Sequence, residues 1–395
     1  MRLSRRTAFE REPNELSVSL ARAALAGREL VDLTETNPTR AGLADATLHE
    51  LLADPRAATY APEPCGTIDA RRAVARYYQA RGAVVDEQRI VLSASTSESY
   101  SWLFKLLCDP GDAVLVPAPS YPLLPYLAEL SSVRLAPYPL VRAEHWRIDL
   151  AELERTLDRE PRVRAIVLVH PGNPTGSFTR RDEAARLGEL CCERALTLVV
   201  DEVFADYAHG PLAPDRLPTF ASFTGAPCFV MSGLSKVALA PHLKLGWILC
   251  ADEVSEEARA RLELVADSFL SVATPVQVAL PDIFERTEGL QARVRARVAE
   301  NLGALDRALA AVGAACPVRR LAVDGGWYAL VEVPRTRSDD AWVLRTIDEA
   351  SAIVHPGYFF DVAERGTLVV SLLPEPRGFA LAVARAVRLW CELPG

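Results

Sequence analysis

The first residue in this 395-residue sequence whose setting suggests chemistry is a lysine. Cys228-Phe229-Val230-Met231 is a short unbroken apolar run, the pattern of a buried strand. It stops at Ser232-Gly233, where small residues open a turn. Lys236 follows, between Ser235 and the apolar Val237-Ala238-Leu239. Among apolar groups an amine loses hydration of its charged form, so its pKa falls and it becomes nucleophilic. Schiff-base chemistry needs such an amine. A solvated surface lysine could have the same neighbours, so the remaining polar segments must decide.

Three other segments bear on it. Ser93-Ala94-Ser95-Thr96-Ser97-Glu98 lies between a strand pattern and a helix pattern. Small hydroxyl residues at a helix N-terminus offer side-chain donors and free N–H groups, a natural phosphate cradle. Ordinary N-capping would leave the same signature. His170-Pro171-Gly172-Asn173-Pro174-Thr175-Gly176 is a proline-stiffened turn that would hold Asn173 rigidly for a hydrogen bond to a ligand. Asp201 ends the apolar run Leu196 to Val200. A carboxylate there needs a partner. A protonated ring nitrogen, a helix N-terminus or a salt bridge could each serve.

The elements that would position these groups alternate. Strand patterns at Arg89–Leu92, Ala113–Val116, Ala165–Val169, Leu196–Val200 and Cys228–Met231 are separated by helix patterns near Ser99–Leu107, Pro122–Leu130 and Arg181–Glu193. Such alternation predicts an α/β sheet, largely parallel and covered on both faces, with ligands at the carboxyl ends of its strands. The four polar segments follow strands and should converge on one crevice. Before them come a short helix at Asn14–Ala26, a strand at Glu29–Leu33, the polar loop Thr34–Arg40 and a helix at Asp69–Arg81. The βα alternation stops around Thr274–Phe284. A long helix follows with Leu290, Val294, Val298, Leu302, Leu305, Leu309 and Val312 on one stripe. Strands at Trp327–Glu332, Ile353-Val354 and Leu368–Ser371, with helices near Asp340–Ser351 and Arg377–Leu389, complete a small α+β domain.

Composition excludes several classes. Half the residues are hydrophobic and 24% are charged, as in a globular protein with a sizeable core. The net charge of −8, without a long basic block, does not suit a nucleic-acid surface. No apolar run reaches membrane-spanning length, and the N-terminus lacks a signal-peptide core, so a cytoplasmic location is expected. The eight cysteines are scattered, and adjacent Cys191-Cys192 lacks a metal or redox spacing. Buried free thiols are expected, and no metal site. No G-x-G-x-x-G follows the first strand, which removes the dinucleotide reading.

Taken together, P-S-Y-P (Pro119–Pro122), H-P-G-N-P-T-G (His170–Gly176), D-E-V-F (Asp201–Phe204) and S-G-L-S-K (Ser232–Lys236) resemble the class I/II aminotransferases of pyridoxal-phosphate (PLP) fold type I. The resemblance covers nearly the whole chain. It implies a large domain with a mostly parallel seven-stranded sheet between helices, and a smaller α+β domain. The expected division is an N-terminal arm over 1–45, a PLP-binding domain over 46–285 and a small domain over 286–395. It further implies that Lys236 carries pyridoxal 5′-phosphate as a Schiff base and shuttles the substrate proton. Asp201 would keep the pyridine nitrogen protonated, Asn173 would bond the ring 3′-oxygen, and Tyr121 would stack on the ring. Ser95, Thr96, Ser97, Ser235 and Lys244 would hold the phosphate. Tyr60 would reach the phosphate of a neighbouring subunit, so a homodimer with shared sites is implied. The substrates would be an amino acid and a 2-oxo acid, in a ping-pong cycle. A lyase or decarboxylase of the same fold, acting on an amino acid or amine, stays open.

Three positions depart from the family pattern. Lys244 stands where an arginine usually meets the phosphate, so the bidentate fork is lost. Phe204 replaces a tyrosine that donates to the 3′-oxygen, which predicts a raised Schiff-base pKa. Val369 stands where the arginine for the substrate α-carboxylate usually sits. Either another cation takes over, with Arg40 and Arg377 as candidates and Asn37 as an added amide donor, or the substrate lacks that carboxylate.

Overall fold

The computed structural model describes residues 1–9, 15–25, 27–251 and 253–392. The helices are α1 (Glu15–Leu25), α2 (Ile68–Ala80), α3 (Thr96–Leu107), α4 (Leu124–Leu130), α5 (Leu150–Arg159), α6 (Arg181–Arg194), α7 (Leu234–Val237), α8 (Glu256–Asp267), α9 (Thr274–Ala311), α10 (Asp339–Ala350) and α11 (Pro376–Trp390). Asn14 and Ala26, the expected ends of the first helix, lie outside the described residues.

The main sheet comprises β1 (Ile90–Ser93), β2 (Ala113–Ala118), β3 (Arg134–Val141), β4 (Arg147–Ile148), β5 (Val163–Val169), β6 (Thr197–Asp201), β7 (Cys228–Gly233) and β8 (Gly246–Cys250). Their order is β1-β8-β7-β6-β5-β2-β3-β4. The pairings from β7 through to β3 are parallel; those of β8 with its two neighbours, and of β3 with β4, are antiparallel. Strands β5 to β7 are nearly all buried and read as continuous apolar runs, because helices cover both faces. The expected seven strands are therefore eight. Two left-handed residues, His145 and Trp146, turn the chain back after β3 and add the two-residue strand β4 at the edge. Strand β7 also runs two residues further than its apolar run, through Ser232-Gly233.

A second, antiparallel sheet comprises β9 (Arg319–Arg320), β10 (Tyr328–Glu332), β11 (His355–Pro356) and β12 (Thr367–Ser371), in the order β9-β10-β12-β11. Along β10 the side chains alternate. Ala329 and Val331 join the core shared with α10 and α11, and Leu330 joins Val369, Trp146, Leu321, Phe360 and Val362 on the other face. Helix α11 starts at Pro376, with the Glu375 carboxylate accepting from the Arg377 and Gly378 N–H groups. It buries Phe379, Ala382, Val383, Ala386, Val387 and Trp390 at helical spacing.

Helix α9 joins the two parts. Near its start Phe284 stacks on Tyr77 of α2 at 5.4 Å. Further along, the Asn301 amide donates to the carbonyls of Leu372 and Pro374. The expected division at residue 285 falls within this helix, which serves both parts.

One expectation fails here. Cys316, just after α9, and Cys391, just after α11, form a disulfide with their Cα atoms 5.2 Å apart, and Cys192 is exposed. The pair is 75 residues apart in sequence. Only the packing of α9 against α11 brings the two ends together, so no local spacing announces it.

Candidate active site

The carboxyl ends of β1, β5, β6 and β7 lie on one edge of the main sheet, and each carries one of the polar segments. The His170 N–H donates to the Asp201 carbonyl at 2.8 Å, and the Glu202 N–H to the Met231 carbonyl at 2.8 Å. Three loops are thereby held in register. Behind them the buried Glu202 carboxylate accepts from the Phe220 N–H at 2.5 Å and the Thr219 hydroxyl at 2.7 Å. The His170 imidazole is sealed between Phe178 and Phe220 and meets the Leu217 carbonyl at 2.9 Å. Burial holds its pKa down to about 3, so it stays neutral and structural.

Asp201 is buried, and burial raises its pKa to about 6; the Val203 N–H, the Tyr100 phenol and the Lys236 charge pull it back. Burial also lowers Lys236 to about 8, against the pull of Asp201. Neither side chain makes an ion pair within contact distance among the described residues. The Asp201 carboxylate thus accepts from the Val203 N–H at 3.1 Å but has no cation of its own, which suits a cationic ring nitrogen. Asn173 is buried with its side-chain oxygen unpaired, as is the Ser232 hydroxyl. Tyr121 has its phenol pushed up to about 12, first by burial and then by the Asp201 charge.

The cradle is built by close backbone approach. A Cβ on Gly246 would stand 3.0 Å from the Ser95 carbonyl carbon and 3.1 Å from the Ser232 oxygen. One on Gly233 would stand 3.1 Å from Gly246 Cα. Glycine at both positions lets the turn before α7 lie against the start of α3. The Ser95 hydroxyl accepts from the Glu98 N–H at 3.2 Å, and the Glu98 carboxylate accepts from the Ala94 N–H at 2.6 Å. Ser95 therefore serves first as a helix cap. The hydroxyls and N–H groups of Thr96 and Ser97, and the Ser235 hydroxyl, bond no group among the described residues. Those of Thr96 and Ser97 lie in the first turn of α3, the end where an anion is favoured. A buried carboxylate without a cation, an amide oxygen without a partner and free donors at a helix terminus fit pyridoxal phosphate.

The other expected residues are placed less centrally. Lys244 is exposed, in left-handed conformation two residues before Gly246. Tyr60 is 74% exposed. Asn37 turns its side-chain oxygen to the Thr39 N–H and hydroxyl. Arg40 pairs with Glu35 at 3.0 Å while 75% exposed. Arg377 is exposed in the first turn of α11. Val369 is fully buried in the apolar cluster, closed to any ligand. The loop bearing Asn37 is nonetheless tied to the second sheet: the Ser371 hydroxyl donates to the Glu35 carbonyl at 2.6 Å.

Four aromatic residues were not anticipated at the site. The Tyr207 hydroxyl donates to the Lys236 carbonyl at 2.5 Å. Tyr100 lies against Asp201, and Tyr328 lies near Tyr121. Trp327 has its ring centroid 4.7 Å from the Lys236 amine. Gly325-Gly326 before Trp327 is a turn signal, but its approach to Lys236 exists only in the fold.

Residues 28–375 match the profile of a family described as aminotransferase class I and II. The tyrosine aminotransferase of Homo sapiens is 26% identical over 342 residues, 84% of this chain and 73% of that protein. The glutamate–pyruvate aminotransferase of Escherichia coli K12 is 30% identical over 271 residues, 64% of this chain and 63% of that protein. The alanine aminotransferase structure from Pyrococcus furiosus superposes with a TM-score of 0.85 at 21% identity, covering 98% of this chain and 99% of that one.

Proposed function

This chain belongs to the class I and II aminotransferases, and we propose that it binds pyridoxal 5′-phosphate on Lys236 and moves an amino group from an amino acid to a 2-oxo acid. The observation that carries the reading is the buried pair of Asp201, raised to about 6, and Lys236, lowered to about 8, at the carboxyl edge of the sheet. When bound, the cofactor supplies an electron sink for the pair of electrons left by the substrate α-proton.

Asp201 holds the ring nitrogen by charge, and Asn173 and Tyr121 fix the ring's orientation. Thr96, Ser97 and Ser235 hold the phosphate, with Lys244 adding charge. Ser95 contributes mainly by capping the first turn of α3. Lys236 Nζ takes the proton from the substrate α-carbon and returns it later in the cycle; an amine of pKa about 8 is substantially neutral near pH 8 and can do both. The aromatic walls of Phe204, Tyr207 and Trp327 keep bulk water away from that amine.

The same reading makes Tyr60 a contact to a second copy of the chain, so a homodimer with shared sites is proposed, in the cytoplasm. Among the described residues no helix is long and apolar enough to cross a membrane. Arg40, Asn37 and Arg377 remain proposed substrate contacts.

The test is a half-reaction followed by absorbance. Purified protein loaded with pyridoxal phosphate is mixed with single amino acids, then simple amines. A stable shift to the pyridoxamine band, reversed by a 2-oxo acid, is expected and names the donor. Keto acid or carbon dioxide accumulating without an acceptor would replace transamination by the lyase or decarboxylase reading.

A further inference from the structure

The Lys236 amine makes no hydrogen bond or ion pair among the described residues. It lies 4.7 Å from the Trp327 ring centroid and 5.5 Å from that of Phe204. Trp327 is fully buried, with its indole N–H unpaired among the described residues. Phe204 and Tyr207 pack edge-to-face on it at 5.3 and 4.9 Å, and its carbonyl accepts from the Leu372 N–H at 2.8 Å. The turn before it is also locked. The Gly326 N–H donates to the Tyr207 carbonyl at 2.8 Å, and a Cβ on Gly176 would stand 2.2 Å from the Gly325 oxygen. The backbone on both sides of the indole is therefore fixed, and two aromatic rings pack against its ring.

We propose that Trp327 is a positioning residue: its ring face receives the Lys236 amine whenever that amine is not bonded to the cofactor, and favours its protonated form. An ammonium over an indole face is attracted by the ring quadrupole, and most strongly where water is excluded. This gives the amine a fixed resting place on the side of the second sheet. Of the charged and titratable groups around it, Asp201 on β6 also favours the proton. Tyr207 is engaged with the Lys236 carbonyl, and Tyr100 and Tyr121 face Asp201. Burial opposes protonation, so Trp327 and Asp201 together hold the amine within reach of neutral pH. The proposal rests on Lys236 as the cofactor lysine, but its test does not need the cofactor.

The sequence makes the test legible, because Lys105, Lys236 and Lys244 are its only lysines. The full chain, free of cofactor, is reductively methylated with carbon-13 formaldehyde. The Lys236 resonance, assigned with Lys236→Arg, is then titrated by NMR. Trp327→Leu should lower its pKa by about half a pH unit to one, with Trp327→Phe between the two. A rise, as hydration past a smaller side chain would give, overturns the proposal, and so does no change. If the leucine variant does not fold, the chain grown with mono- and then difluorinated tryptophan keeps the ring's shape and weakens its face. The Lys236 pKa should then fall stepwise, and an unmoved value overturns the proposal. Separately, borohydride in the presence of pyridoxal phosphate should fix the cofactor to Lys236. Labelling elsewhere, or none, would defeat the proposed function while leaving the titration result standing.

Discussion

With 5% of its surface exposed and no ion pair, Asp201 titrates near 6 in the cofactor-free chain, against 3.8 for a free aspartate. The sign of the stability effect follows. Between those values the folded state holds a proton that the unfolded state has lost, so stability falls as pH rises through the interval. Above pH 6 the whole penalty is present, on the order of 3 kcal/mol for about two pKa units. Asp201→Asn should therefore raise the calorimetric melting temperature of the cofactor-free chain at pH 7.5, by the equivalent of roughly 1–3 kcal/mol, with the gain vanishing near pH 4. Added pyridoxal phosphate should stabilise the parent chain and not the variant. A variant no more stable than its parent at pH 7.5 would mean that the carboxylate is already compensated. Phe204 makes a second prediction. It lies 5.5 Å from the Lys236 amine with no hydroxyl to offer, so Phe204→Tyr should lower the Schiff-base pKa read in a spectral pH titration; an unmoved value would remove Phe204 from the account. Lys236, Asp201 and Asn173 were singled out only by the four motifs read together, because local physics alone left each open between a ligand contact and an ordinary surface charge, cap, salt bridge or turn. Trp327, Tyr207 and Tyr100 were not, because an aromatic residue's usefulness depends on which face it presents to a group far away in the chain.

The loops of the proposed site owe their positions to contacts between elements, and glycines mark where those contacts are tightest. Gly176 ends the Asn173 turn at φ +66° and touches the Gly325 backbone of the segment that carries Trp327. Gly176→Ala would have to fit a Cβ 2.2 Å from a backbone oxygen and hold a left-handed conformation. A loss of at least about 2 kcal/mol is expected in urea denaturation, from conformational strain and overpacking together. Cofactor affinity, followed by fluorescence, should weaken with it, since the turn holding Asn173 and the segment holding Trp327 would separate. Full stability in that variant would show that the two segments pack independently. The same scale explains what could be read of the fold. Strands β5, β6 and β7 announce themselves as unbroken apolar runs because both their faces are covered. Strand β3 carries Pro137 and Pro139, which break the strand signal even though its neighbour β2 pairs with both positions. Strand β8 begins two residues after the left-handed Lys244, and its five residues merge with the lysine turn in sequence. Helix α5 went unassigned although its signals are present, with Asp149 accepting from the Glu152 N–H as a cap and Leu153 and Leu157 buried at helical spacing.

At the scale of the molecule, the main sheet carries the proposed cofactor groups, while the second sheet brings Trp327 to Lys236 and Tyr328 near Tyr121 and ties down the loop at Glu35 through Ser371. Helix α9 and the Cys316–Cys391 bond hold that second part in place. The bond closes a segment of 75 residues that contains β9 to β12, α10, α11 and Trp327, and leaves Asn173, Asp201 and Lys236 outside. Closing a loop of that length restricts the unfolded chain by about 4 kcal/mol in the chain-entropy picture. Cys391→Ser should therefore lower the urea midpoint substantially, and reduction of the parent chain should lower it equally. Because the cofactor groups lie outside the closed segment, the absorbance of the loaded enzyme at 25 °C should not change. What should change is its heat tolerance, with the Trp327 environment loosening first by near-ultraviolet circular dichroism. Six free cysteines are placed by the structure, so denatured and unreduced protein should take up six equivalents of a thiol reagent, and reduced protein eight. Eight without reduction would mean that the bond does not form in solution; helix packing alone would then have to hold the second sheet over Lys236, and Cys391→Ser should leave the unfolding curve where it was.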